Sequence, residues 1–308
     1  MAGRVILLMG PTAAGKTDLA LKLVEQFDME IISVDSAQIY RGMDIGTAKP
    51  DAATLKRAPH HLLDIRDPSE SYSVAEFVQD AQHHIEDIQQ RGKTPVLCGG
   101  TMLYFKAITA GLSRLPASDA AIRKALDQEA AEKGGQAMHE MLRQVDPVSA
   151  GRIHVNDSQR IQRALEVYRL TGESLTEWTR NNPPRGLDFD FLKIAVSPQD
   201  RAILHERIEA RFGRMLEAGL VAEVEQLRAR GDLDLERPAM RCVGYRQIWQ
   251  HLEGQYSLQE ARSKAIYATR QLAKRQLTWL RAIPGLRWLD PAISSEISWL
   301  IDEIFAQS

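Results

Sequence analysis

Residues 5–9 are five apolar positions in a row, two of them β-branched, and Gly10-Pro11 stops the run. That length with a turn signal behind it predicts a strand buried on both faces. The period then changes: Leu19, Ala20, Leu23 and Val24 recur at helical spacing and predict a helix over 16–26. A second β-branched run at 30–34 ends at Asp35. A helix follows at 74–90, with Val74, Phe77, Val78, Ala81, Ile85 and Ile88 along one side, and Gly99-Gly100 cut off a third strand at 94–98. Strands alternating with helices argue for an α/β fold, a mostly parallel sheet flanked by helices.

After Gly111 the strand pattern disappears. Segments 120–133, 136–144, 158–170 and 174–180 read as helices, punctuated by Gly134-Gly135, Asp146-Pro147 and Thr171-Gly172. Asn182-Pro183-Pro184 breaks the chain, 191–196 is strand-like again, helices resume at Arg201, and 286–289 reads as a last short strand. The pattern predicts an all-helical insertion at 116–185 within a core formed by 1–115 and 186–308. No internal repeat or low-complexity tract is visible.

Composition narrows the class without naming a chemistry. Of 308 residues, 44% are apolar and 26% charged, which excludes intrinsic disorder as the main description. No apolar run approaches the roughly 18 residues of a membrane span, and 5–9 is too short for a signal-peptide core. Cys98 and Cys242 are too few for a disulfide framework or a four-ligand zinc site; they are expected as two buried thiols in a reducing, cytoplasmic compartment. The pairs His60-His61 and His83-His84 are expected to be ordinary histidines, since neighbours in a helix or strand do not face one site. The formal net charge of −2 hides one asymmetry. Between 261 and 289 stand Arg262, Lys264, Arg270, Lys274, Arg275, Arg281 and Arg287, with no acid, which points either to an anionic partner or to a solvated helix face.

The stretch Gly10-Pro11-Thr12-Ala13-Ala14-Gly15-Lys16-Thr17 fits G-x-x-x-x-G-K-[ST] between a predicted strand and a predicted helix. Glycines let the loop curl so that its N–H groups point inward, and the helix start adds partial positive charge. Lys16 supplies a full charge for the terminal phosphates, and the Thr17 hydroxyl can meet a Mg²⁺ bridging them. The core is therefore expected to be P-loop NTPase-like. Asp35 falls at the carboxyl end of the second strand, the edge that faces the crevice in an open parallel sheet, as a Mg²⁺ ligand, a general base or a helix cap. Gly99-Gly100-Thr101 ends the third strand at the same edge, where an ordinary NTPase would often place a metal-binding aspartate. That leaves room for a substrate between Asp35 and Thr101. A small-metabolite kinase would explain the loop and Asp35 but not the basic stretch or the insertion. A non-catalytic nucleic-acid-binding NTPase would explain the basic stretch but not the carboxylate.

GPTAAGKT, SVDSAQIY, HHLLDI, CGGTMLY, SQRIQRALEVY, MLEAGLVAEV, RCVGYRQIW and ATRQLAKRQLTWLR occur in this order along the chain. Together they resemble the bacterial tRNA dimethylallyltransferases, or tRNA isopentenyl transferases, over essentially the whole length. The resemblance implies transfer of a dimethylallyl group from dimethylallyl pyrophosphate, with Mg²⁺, to N6 of the adenosine on the 3′ side of the anticodon in tRNAs that read codons beginning with U. It makes Gly10 to Thr17 a pyrophosphate cradle, with Thr17 the metal contact. Asp35 becomes the base, Thr101 a second contact to the target nucleotide, and Lys16 and Arg211 contacts to the leaving group. A base must leave its stack to react.

The resemblance also implies the partner surface. Asp35, Ser36, Ala37, Gln38 and Thr101 match contacts to the anticodon stem-loop, as do Arg123 and the run Gln159, Arg160, Ile161, Gln162, Arg163. Arg241, Cys242, Val243, Gly244, Tyr245 and Arg246 match further contacts, and so do Gln271, Lys274, Arg275 and Trp279. The chain is expected to act as a monomer in the cytoplasm, on tRNA and a soluble pyrophosphate ester, away from membranes. Two departures stand out. No Cys/His cluster of the kind eukaryotic relatives carry near the C-terminus is present, and Ala14 replaces the serine of many relatives. A prenyltransferase acting on free adenine nucleotide is the nearest rival, and the segments at 159–163 and 241–246 speak against it.

Overall fold

A computed structural model describes residues 3–305. The chain packs as two compact units, Met1–Thr109 with Asp188–Ser308, and Ala110–Leu187. The sequence reading put the insertion at 116–185. The earlier start and later end have a local cause: Gly111 lies against the backbone of Arg185, where an added Cβ would sit 2.3 Å from the Arg185 carbonyl carbon.

The first unit opens with β1 (Val5–Met9), α1 (Lys16–Gln26), β2 (Met29–Val34), α2 (Ala52–Arg57) and β3 (His60–His61). It continues with α3 (Val74–Gln90), β4 (Thr94–Gly99) and α4 (Met102–Thr109). The second unit contributes α5 (Ala120–Val145), α6 (Pro147–Arg152), α7 (Ser158–Thr171) and α8 (Leu175–Asn181). The chain then returns through β5 (Phe191–Val196), α9 (Arg201–Glu217), α10 (Leu220–Ala229), α11 (Tyr245–Leu252), α12 (Leu258–Arg281), β6 (Arg287–Leu289) and α13 (Ser294–Phe305).

The six strands form one sheet in the order β3-β2-β4-β1-β5-β6, and every adjacent pair is parallel. This is the mostly parallel core expected from the alternating pattern, and its β1–loop–α1 start is the P-loop NTPase-like arrangement expected from the Gly10–Thr17 motif. All five residues of β1 are buried, as a strand covered on both faces requires. α1 turns Leu19, Ala20 and Leu23 onto the sheet. They join Ile6, Leu8, Val96, Ile194 and Val196 in one apolar cluster. α3 begins with a reciprocal cap between Ser73 and Glu76 and buries Phe77, Ala81, Ile85 and Ile88, four of the six positions on its predicted face.

Several elements escaped the pattern. α4 buries five residues in eight and turns Leu103, Lys106 and Thr109 outward, so an apolar residue on its open face blurs the helical period. β3 is two residues long and exists because β2 pairs with it. The stretches 120–133 and 136–144, by contrast, are two helices as expected, meeting end to end within α5 at Gly134, whose φ of 80° and ψ of 163° are not helical. The second unit has its own core of Leu126, Met138, Leu142, Ile153, Ile161, Ala164 and Leu165. Asp146 is buried there. It caps α6 through Ser149 N (2.9 Å) and holds α8 through Thr176 N (2.9 Å) and Oγ1 (2.7 Å).

Glu30 is a buried carboxylate inside β2, 3% exposed. It accepts from Arg91 (Nη2–Oε2 2.9 Å), Lys93 (2.9 Å) and His61 Nε2 (2.8 Å), and the Arg91 contact holds its carboxyl well below the usual carboxylate range. The stability it contributes is full above the ordinary glutamate pKa and is lost as pH falls through the acid range. Glu30→Ala is expected to cost about 2 kcal/mol at pH 7, because its cations lose their partner in a partly buried place. The deficit should shrink in acid. Denaturant unfolding at neutral and acid pH measures both values.

Candidate active site

Three strands end level. Met9 pairs with Gly99, and Gly99 with Val34, so Gly10, Gly100 and Asp35 leave the sheet side by side. Glycine is required where these ends crowd. A Cβ on Gly10 would lie 2.3 Å from the Val196 carbonyl oxygen, and one on Gly99 would lie 2.1 Å from that of Val34. The chain then wraps into a loop with Ala13 at φ 63° and Gly15 at φ 94°, and Gly15 stands at the start of α1 with no side-chain cap. The first amides of the helix are thus left for an anion.

Lys16 Nζ lies 2.7 Å from the Pro11 carbonyl, folded over the loop. Burial pushes its ammonium down to about 8, and the nearby charge of Arg211 acts in the same direction. Arg211 reaches the Thr47 carbonyl at 3.5 Å, and burial lowers its guanidinium below the ordinary value. Arg207 points at the Ala14 carbonyl at the same distance. Arg207, Arg211 and Arg214 follow one another at spacings of four and three on α9 and line a cleft of about 1720 Å³ together with the loop and Asp35. The sequence reading found only Arg211. The helical spacing of its two neighbours was the available signal.

Asp35 is half-buried, and its Oδ1 accepts from Ala37 N at 2.8 Å. No helix follows it, so the helix-cap alternative falls: the carboxylate closes a turn, and no bond to Oδ2 is formed among the described residues. Thr101 N donates to the Val34 carbonyl (3.1 Å), and Thr101 Oγ1 accepts from Ser36 N (3.1 Å). The segment after β4 is thereby tied to the Asp35 turn. Gln38 is held at both ends of its amide, accepting from Ser33 Oγ (2.9 Å) and donating to the Thr47 carbonyl (3.3 Å). Two further polar residues were not found by sequence reasoning. Gln276 on α12 accepts from Thr12 N (3.0 Å) and donates to the Gly100 carbonyl (2.8 Å). Glu223 on α10 accepts from Ile45 N (2.7 Å), Gly46 N (3.1 Å) and the Tyr245 hydroxyl (2.5 Å), which fixes the segment carrying Thr47.

The loop of 10–17, with its uncapped helix start, and the carboxylate turn at Asp35 therefore open into one cleft. The family model described as IPP transferase matches residues 38–283. The tRNA isopentenylpyrophosphate transferase of Bacillus halodurans is 36% identical, with a TM-score of 0.72 over 99% of this chain and 96% of that one. The tRNA delta(2)-isopentenylpyrophosphate transferase of Staphylococcus epidermidis is 33% identical, with a TM-score of 0.70 over 99% and 100%. The chain belongs to the IPP transferase family. A eukaryotic dimethylallyltransferase, crystallised acting on tRNA, superposes with a TM-score of 0.81 at 28% identity over 99% of this chain and 77% of that one.

Family membership gives the remaining candidates a place to be judged. On α12, Lys274 and Arg275 are exposed, Gln271 is half-exposed, and Trp279 is 39% exposed with Lys106 Nζ 6.0 Å from its ring. Arg275 and Trp279 face the cleft. The basic stretch is partly neutralised within the protein, since Arg262 and Arg270 both pair with Glu209 (3.4 and 3.2 Å). Arg241 and Arg246 are exposed, and Arg241 pairs with Glu236. Val243 is half-buried, and Gly244 starts α11 at φ 97°. Tyr245, expected at the RNA, is instead fully enclosed, with its ring packed where Gly46 lacks a side chain and its hydroxyl on Glu223.

In the second unit, Gln159 and Arg160 are exposed, and Gln162 is half-exposed. Ile161, also expected at the RNA, is core, 1% exposed. Arg163 (Nη1, 2.5 Å) and Arg123 (Nε, 3.0 Å) both converge on the buried Glu166 carboxylate. Burial alone would raise that carboxyl, and the bonds from Arg163, Ser118 and Arg123 bring it below the usual range.

The two cysteines also differ from expectation. Both are partly buried, Cys98 against the apolar cluster of the sheet, and both also line the cleft. Burial pushes the Cys98 thiol up to about 11 and the Cys242 thiol up to about 12, so each is a neutral thiol at pH 7. Neither histidine pair joins a cluster able to hold a metal among the described residues, and His61 is engaged with Glu30. No helix among them is long and apolar enough to cross a membrane.

Lys16→Ala is expected to weaken inorganic pyrophosphate binding about tenfold or more, the worth of a charge-assisted bond. The gap between wild type and variant should narrow as pH rises through about 8, where the free enzyme loses the Lys16 proton. Equal affinities at pH 7 in titration calorimetry would remove Lys16 from the cradle.

Proposed function

We propose that this chain transfers a dimethylallyl group from dimethylallyl pyrophosphate to N6 of the adenosine 3′-adjacent to the anticodon, in tRNAs reading codons that begin with U, and releases pyrophosphate. One observation carries the reading: the anion cradle and the Asp35–Thr101 turn open into the same cleft, on a chain of the IPP transferase family. The tRNA is taken from the names of its structural relatives.

The exocyclic amine of adenine is a weak nucleophile, because its lone pair is delocalised into the ring. The allylic carbon gains positive character as the pyrophosphate departs. The leaving group's charge must therefore be stabilised, and the cradle amides with Lys16, Arg211 and the neighbouring Arg207 are placed to do so. Asp35 accepts the N6 proton as the new C–N bond forms and the C–O bond to pyrophosphate breaks. Its Oδ1 is oriented by Ala37 N, which leaves Oδ2 for the amine. Thr101, tied to Ser36, holds the same base.

The donors around the cradle suit a Mg²⁺ carried in by the diphosphate. Thr17 presents an exposed hydroxyl at the helix start, and no all-protein carboxylate cage is needed for that ion. When bound, Mg²⁺ neutralises part of the departing pyrophosphate's charge. The target base leaves its stack, and Gln38 with the exposed side chains of α12 receives the loop around it. The enzyme is read as a cytoplasmic monomer.

Single-turnover transfer separates these roles. Asp35→Ala should slow turnover by about 10² to 10⁴ with pyrophosphate affinity little changed. Wild-type turnover in that variant would remove Asp35 from the reaction. RNA binding should weaken with salt at about 0.7 to 0.9 log units per decade for each phosphate neutralised. ATP consumption with salt-insensitive RNA binding would favour a small-metabolite kinase instead.

A further inference from the structure

Gln276 is 7% exposed and lies between two loops that the chemistry needs in register. Its Oε1 takes the N–H of Thr12 (3.0 Å) in the cradle, and its Nε2 donates to the carbonyl of Gly100 (2.8 Å), one residue before Thr101. The amide sits in the space left by the missing side chain of Gly100, whose Cβ would lie 2.5 Å from Nε2. An amide is the side chain of this length that accepts with one arm and donates with the other. A flipped amide would set donor against donor and acceptor against acceptor. The isosteric carboxylate keeps the Thr12 bond and repels the Gly100 carbonyl. A methionine of similar length makes neither bond.

The contacts continue on both sides. Thr101 binds Ser36, next to Asp35, and on α12 itself Arg275 and Trp279 face the same cleft. A continuous path therefore runs from cradle through Thr12, Gln276, Gly100, Thr101 and Ser36 to the base. The helix expected to meet tRNA is attached in its C-terminal third.

We propose that Gln276 is a positioning residue that sets the phosphate loop against the Asp35–Thr101 turn, and that it joins the RNA-facing helix α12 to both. It touches no reacting atom in this scheme. It fixes the separation and angle between donor and acceptor, to which an in-line displacement is sensitive. One N–H of the cradle, that of Thr12, serves this clip rather than the leaving group. The kinetic side of the proposal rests on the prenyl-transfer reading, and the structural side does not.

The test combines two readouts on the full chain. Gln276→Met should lower the single-turnover rate by about 10- to 100-fold, while dissociation constants for inorganic pyrophosphate and for an anticodon stem-loop RNA move less than about threefold. Gly100→Ala, which displaces the amide, should cost a similar factor, and the double variant no more than either single one. Hydrogen exchange at the Thr12 amide reads the clip without chemistry. It should be slow in the wild type, at least about tenfold faster in Gln276→Met, and slow again in Gln276→Glu, whose rate stays low. A Gln276→Met rate within twofold of wild type, a loss confined to KM, or additive effects in the double variant would overturn the positioning role. Equal Thr12 exchange in wild type and Gln276→Met would overturn the clip itself. A wild-type chain that transfers no prenyl group would sink the prenyl-transfer reading, with Thr12 exchange still deciding the clip.

Discussion

Backbone pairing of β2, β4 and β1 is the constraint from which the cleft is built. Parallel ladders hold their register through evenly spaced hydrogen bonds, and here they bring Val34, Gly99 and Met9 level. The residues that follow must leave the sheet at one edge, so a phosphate loop and a carboxylate turn face each other without help from a flexible segment. Gly10 and Gly99 hold this arrangement at its closest points. Each lies against a neighbouring strand's carbonyl at a distance no Cβ tolerates. A substitution there would separate the strands whose alignment sets the distance between the two halves of the chemistry.

Charge is distributed with the same economy. The cleft gathers Lys16, Arg207, Arg211 and Arg214 close to one half-buried carboxylate, and burial lowers both Lys16 and Arg211. Cations held together in that way favour a polyanion, and the diphosphate of the proposed donor would supply it. Carboxylates elsewhere organise rather than react. Glu30 gathers Arg91, Lys93 and His61 beneath the sheet, Glu166 gathers Arg123 and Arg163 in the helical unit, and Glu223 clasps the amides beside Thr47. Two of the arginines expected at RNA are thus pre-positioned by an acid.

Most of the fold was legible, because the covered strands read as short, largely apolar runs, unbroken in β1, and α1 and α3 carry one apolar face each. α4 was not, since the exposed Leu103 on its open face blurs the period that Lys106 and Thr109 would mark. The phosphate loop and Asp35 were legible from spacing and from the edge on which the strands end. Gln276 and Glu223 were hidden, because a polar residue that bridges backbone groups distant in sequence leaves no local signature. Tyr245 and Ile161 sat inside motifs whose neighbours face outward, and only packing separates the two kinds of position. The cysteines were taken for core residues on composition, whereas the sheet edge brings Cys98, and the segment before α11 brings Cys242, to the cleft wall.

The central claim is that a loop with the look of an NTPase cradle here holds the leaving group of an alkyl donor. Transfer of label from dimethylallyl pyrophosphate to unmodified tRNA, with Mg²⁺ present and ATP hydrolysis followed in parallel, tests it most directly. Label mapped by nuclease digestion to the adenosine after the anticodon, with no ATP turnover, is the predicted result. Unlabelled tRNA together with ATP consumed would contradict the account.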